Sequence, residues 1–163
     1  MLLPGDLDEV GLDNLIESGV DAKASIAVFP HHGGTTGKGD MATFASRYCN
    51  AVEPENVIFS IGRGRYNTPR PEIVDILRRK LPKSRVLCTQ LSEHCAGKVP
   101  NEDPAHLTDK ASRGRELRKC CAGTIVITLG KAAPTLFPIL DTHSEFIARA
   151  APTALCMRPM QQS

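Results

Sequence analysis

Apolar residues gather into short runs along the chain, separated by polar stretches rich in glycine and proline, and helical spacing alternates with compact β-type runs. Leu2-Leu3 followed by Pro4-Gly5-Asp6 reads as the end of a strand breaking into a loop. Residues 8–17 place Val10, Leu12, Leu15 and Ile16 near helical spacing, with Gly19 as a stop. Residues 24–30 (ASIAVFP) form a buried strand that runs into His31-His32-Gly33-Gly34. Asp40 can cap a helix through about Cys49. A second buried strand spans 56–61, a loop 62–69, and a helix 72–80 behind Pro71. Strands follow at 84–88 and, rich in β-branched residues, at 122–129. Residues 96–119 are polar and lack apolar spacing, which predicts an insertion loop ordered only if its ends are tied. The tail predicts a strand at 135–140, a short helix at 144–150 and an extended end through Cys156.

With 163 residues the chain is sized for one domain, and 41% hydrophobic with 23% charged residues is a globular balance. A net charge of +2 does not by itself demand a nucleic acid or a membrane. Aromatics make up 4% and tryptophan is absent, so no base-stacking platform is evident. Neither a membrane-spanning run nor a signal-peptide pattern is present, so the expected location is cytoplasmic. In that compartment the six cysteines are expected as reduced thiols or metal ligands.

Three constellations carry candidate chemistry. Asp6 and the pair His31-His32 each follow the carboxyl end of an expected strand, where loops of layered α/β folds converge. Carboxylate oxygen with imidazole nitrogen suits Zn or Mn. Cys88, Cys95, Cys120, Cys121 and Cys156 flank the polar insertion, and a structural zinc on such thiolates would pin it to the sheet. Cys88, Cys95 and Cys120 are the first choice, with Cys121, His143 or Cys156 as fourth ligand; a Cys88–Cys95 disulfide is the alternative. The basic loop offers Arg63 and Arg65 after a strand end, suited to phosphate or a phosphodiester.

The segments LLPGDLDEVGLDNLI, ASIAVFPHHGG and NVIFSIGRGRYNTPRPEIVDILRR, in that order, resemble the second half of the metallo-β-lactamase superfamily, and its ComEC-type nuclease branch in particular. The resemblance covers roughly residues 1–90 and resumes at 123–129. It implies an α/β fold, half of an αββα sandwich: one mixed sheet with helices on its outer face, a single partial domain over 1–163 with a Cys-bounded insertion at about 88–121. It further implies a two-metal hydrolase in which Asp6 bridges the metals, His31 binds the second metal, and His32 is that ligand or its supporting partner. Tyr66 stands at the family's loop tyrosine, and with Arg63 and Arg65 it falls on the substrate side. Gly64 and Thr68 depart from the family's loop pattern, in which Asn and His would stand at those places, and the amino-terminal His-x-His-x-Asp-His cluster is absent. The expectation is therefore a phosphodiesterase- or nuclease-like fragment, inactive alone. It would pair with a missing amino-terminal half or self-associate through an uncovered sheet face. The rival expectation is a zinc-stabilised interaction module without catalysis.

Overall fold

The computed structural model describes residues 1–37, 39–64, 66–102, 104–110, 112–130 and 133–158. Among them the chain is mixed α/β, with five α-helices and two small sheets. Helix α1 (Glu9–Glu17) begins at Asp8, whose carboxylate accepts the Gly11 N–H at 2.8 Å. Strand β1 (Ile26–Val28) leads into a tight 3-10 turn, Pro30–Gly33. Helix α2 (Met41–Val52) is capped by Asp40, which accepts from the Thr43 N–H at 2.9 Å and the Thr43 hydroxyl at 2.6 Å. Strand β2 (Asn56–Phe59), helix α3 (Pro71–Lys80) and strand β3 (Arg85–Cys88) complete the repeating part. Each cap satisfies N–H groups that a helix start leaves unpaired.

The three strands pair in parallel in the order β1-β2-β3. Leu2 extends this sheet, bridging Ala27 in parallel: its N–H donates to Ile26 O at 2.9 Å and its carbonyl accepts from Val28 N at 3.1 Å. The chain's opening residues thus have a partner, and Gly5-Asp6 emerges beside the end of β1.

Alternation along the strands sends side chains to two faces. Ala27, Phe29, Val57, Phe59 and Cys88 join Leu12, Phe44, Tyr48, Ile73 and Leu77 of the helices in the main core. Burial of each large apolar side chain there contributes about 1.5–3 kcal/mol. Ile26, Ile58, Leu87 and Ala122 face the other way. The half-sandwich leaves that face open; here it is covered. Strands β4 (Val126–Thr128) and β5 (Thr135–Phe137) form an antiparallel pair whose Ile127 and Leu136, with Ile125 and Leu140, lie over it.

The strands therefore form two sheets where one mixed sheet was expected. The insertion is the cause. It brings the chain back beside β3 only at 120–123, where Ala122 and Gly123 donate to Cys88 O and Thr89 O at 2.8 and 3.1 Å. Gly123 then turns with φ +73°, a left-handed conformation that favours glycine, and the chain leaves the sheet. Among its described residues the insertion is loop except for α4 (Arg113–Glu116). Helix α5 (Leu140–Ala150) starts four residues before its expected position at 144, and its His143, Phe146 and Ile147 are buried. No described helix is long and apolar enough to cross a membrane.

Candidate functional site

The carboxyl ends of Leu2, β1 and β2 deliver three loops to one edge of the sheet. Asp6, His31, His32, Gly34, Thr35, Tyr66, Thr68 and Arg70 line an open cleft there, with a volume of about 480 Å³. Two of its walls are held by main-chain bonds: His31 N donates to Gly5 O at 3.3 Å, and Arg70 N to Gly33 O at 2.8 Å.

His31 and His32 both have positive φ, 47° and 57°, and Gly33 follows at +75°. Two consecutive non-glycine residues in the left-handed region cost roughly 1–2 kcal/mol each, so surrounding structure must enforce them. A reason is visible at Gly33, where a Cβ would sit 2.6 Å from the Phe59 ring and 2.7 Å from Pro69 Cβ. Close packing onto Phe59 draws the backbone in and turns both imidazoles outward to the sheet edge.

His32 Nδ1 donates to Ser60 O at 2.5 Å. That bond occupies Nδ1 and leaves Nε2 as the ring nitrogen not engaged by it, the arrangement that usually supports a metal-binding histidine. His31 Nδ1 lies 3.8 Å from Asp6 Oδ1, beyond hydrogen-bond reach. His31 Nε2 and Arg70 Nε are buried without a hydrogen-bond partner among the described residues. The cleft therefore gathers one carboxylate, two imidazoles and a guanidinium whose polar capacity is not used up by the protein.

Asp6, His31 and His32 thus meet in one cleft, as their positions after strand ends suggested, and Tyr66 lines it too. Arg63 does not join them. Its guanidinium donates to Leu91 O, Ala96 O and Gly97 O at 2.9, 2.8 and 2.9 Å, so it fastens the insertion instead of facing the cleft. The sequence shows a basic residue after a strand end, but not that three carbonyls will enclose it. Arg65 lies outside the described residues. Arg70, which belongs to the same basic loop in the sequence, and Thr68 do line the cleft; Thr35 is a cleft residue that pattern reading did not single out.

The cysteines divide. Cys88, Cys95 and Cys121 are buried, Cys156 is partly so, and none is in a disulfide. Cys121 Sγ contacts His143 Nε2 at 3.2 Å. Cys88 donates a hydrogen bond to Cys121, and this, with the His143 contact, holds the Cys121 thiol well below the usual range, while Cys88 is pushed well above it. Cys95 and Cys156 lie near enough to feel the charge on Cys121, and burial pushes Cys156 up to about 12. Cys120, a first-choice ligand on sequence, stands apart: its sulfur packs toward Ser112 at 3.9 Å. Adjacent residues of an extended segment point to opposite sides, so Cys120 and Cys121 cannot both face the same centre. His106 closes the far side, its Nε2–H donating to Cys121 O at 2.7 Å, its ring 5.2 Å from that of His143.

With side chains as they stand, no group of three or more His, Cys, Asp or Glu among the described residues is set to hold a metal ion. No protein-family model, curated protein or solved structure matches the chain.

Proposed function

We propose that the Asp6 cleft is part of a divalent-metal hydrolytic site of the metallo-β-lactamase kind, acting on a phosphodiester or nucleic-acid substrate. The observation that supports it best is the strained His31-His32 pair, which shares the cleft with Asp6 and carries His31 Nε2 buried without a hydrogen-bond partner among the described residues. Asp6, His31 and His32 would hold Zn or Mn. Such a metal supplies a hydroxide nucleophile and neutralises charge on the phosphoryl group. Arg70 presents a planar fork to phosphate oxygens, and Thr35 and Thr68 offer hydroxyl donors at the rim.

One carboxylate and two imidazoles are fewer donors than a two-metal centre uses. Groups from a further polypeptide segment or a second copy therefore complete the site, and the chain by itself is expected to hydrolyse no phosphodiester. The half-sandwich reading of the fold belongs to the same proposal.

The test is Mn(II) titration followed by paramagnetic broadening of amide NMR signals. Broadening is expected first at residues 5–7 and 31–35, and is expected to disappear in the double variant Asp6→Asn, His31→Ala. Equal broadening in the variant, or none near the cleft, would refute the reading, as would chelator-sensitive phosphodiester hydrolysis by the purified chain refute its incompleteness.

A further inference from the structure

The insertion leaves the sheet after Cys88, the last residue of β3, and returns beside it at Cys121. We propose that these two ends form a redox clasp: hydrogen peroxide oxidises the Cys121 sulfur, and the Cys88 thiol then closes a Cys88–Cys121 disulfide, with His143 as proton carrier. None of the three residues lines the Asp6 cleft, so the inference is independent of the function proposed there.

Geometry carries the pairing. Ala122 N donates to Cys88 O at 2.8 Å and Gly123 N to Thr89 O at 3.1 Å, so the two backbones lie side by side. Paired backbones run about 4.7–4.9 Å apart, inside the Cα separation of about 4.4–6.8 Å that a disulfide bridges. Both thiols are buried in the main core, whereas Ala122 belongs to the cluster on the other face. His143 Nε2 lies 3.2 Å from the Cys121 sulfur. The same His143 lines a cavity of about 160 Å³ with Arg78, Arg85 and Cys156. A water's share of liquid volume is about 30 Å³, so a peroxide fits there, one side chain away from the sulfur. The thiolate, not the thiol, is the species that attacks peroxide. The hydrogen bond from Cys88 and the His143 contact hold the Cys121 thiol well below the usual range, while each of the other five cysteines is pushed up.

In the first step the Cys121 thiolate attacks one peroxide oxygen, and an S–O bond forms as the O–O bond breaks. The departing oxygen leaves as water, taking the proton that Cys121 shed by way of His143 Nε2. In the second step the Cys88 sulfur displaces the oxygen held on Cys121, which leaves as water with the Cys88 proton. Two electrons pass from the sulfur pair to the peroxide: two thiols and one peroxide give one disulfide and two waters. The bond would close the neck of the insertion covalently, where main-chain bonds and Arg63 otherwise fasten it.

The full reduced chain is treated with stoichiometric hydrogen peroxide, denatured in an alkylating reagent, and its disulfides are mapped by mass spectrometry. A linked Cys88–Cys121 peptide is expected, with free thiols falling from six per chain to four, six less the paired two. Dithiothreitol should restore all six. Cys88→Ser, denatured in dimedone after the same treatment, should carry the sulfenic-acid adduct on Cys121, and His143→Gln should reach the same disulfide more slowly. Substitutions in a core can also disturb folding, so the wild-type map decides. The proposal is overturned by a principal disulfide that includes any other cysteine, by a thiol count that stays at six, or by Cys121 driven to sulfinic acid without a disulfide. An unchanged rate in folded His143→Gln would overturn the role given to His143.

Discussion

On the helical face of the parallel sheet, Phe29 meets Tyr48, Phe59 and Phe44 with ring centroids 5.0, 5.2 and 6.3 Å apart. On the opposite face the buried cluster is four side chains, Ile26, Ile58, Leu87 and Ala122, under a short hairpin. The first region is held by interlocking apolar volume. The region beyond β3 adds Leu91, Phe146, Ile147 and Leu155 to that core, but its loops are fastened by side chains bonding to main-chain carbonyls: Arg63 to three of them, His106 to Cys121 O, and Arg78 to Leu155 O. The contrast shows how a chain with few aromatics divides its work. Apolar packing builds the layer that sets the sheet edge and the cleft, while polar ties fasten an insertion that has little to bury.

The strongest way to break this contrast is Phe29→Ala, which empties the centre of the aromatic cluster. A loss of about 3–5 kcal/mol is expected in chemical denaturation, with the whole molecule unfolding in one transition. If residues 1–90 kept their fold while only the hairpin loosened, the assignment of stability to the helical face would be wrong. Next in size is Arg63→Ala, which removes a charged donor from three carbonyls and is expected to cost about 1.5–3 kcal/mol. Its signature should be local: amide exchange accelerates at residues 90–97 and 119–123 before it does in β1 or β2. Uniform acceleration would erase the distinction between the two regions.

The smallest effect concerns the cap of α2. The Thr43 hydroxyl, with the Thr43 and Ala42 amides, holds the Asp40 carboxyl below the ordinary carboxylate range. A depressed folded value means that the contribution is present above the unfolded value of about 4 and is lost as pH falls through the folded one. Asp40→Ala should therefore lower the melting temperature most near neutrality, and the gap to wild type should narrow with acid. A gap independent of pH would mean that the carboxylate charge is not what caps the helix.

These effects also track what was legible in the sequence. Asp40 as a cap, Pro71 at a helix start, and the apolar runs 24–30 and 56–61 are local signals, and the structure follows them to within a few residues. Asp6, His31 and His32 could be brought together because strand ends of an α/β layer share an edge. The rest depends on contacts between distant residues. Nothing near Arg63 announces that Leu91, Ala96 and Gly97 will turn their carbonyls toward it. Cys120 and Cys121 are neighbours of one type, and only the bridge of Cys120 to Gln90 decides which of them faces inward. The early start of α5 is set by burial of His143 against the cysteines, a partner that spacing alone cannot supply.

The order β1-β2-β3 has a consequence for how the molecule forms. Each strand pairs with one 29 or 30 residues further along the chain, so every pairing in that sheet closes over a single intervening helix. The segment at 120–123 reaches its place beside β3 only after the insertion has been traversed. Synthesis proceeds at about 5–20 residues per second, so the β1–β2 pair and its helix emerge seconds before the residues that close the other face. The strand order is thus also a timetable, in which the layer bearing the cleft can condense first and the cysteine-lined junction is assembled last.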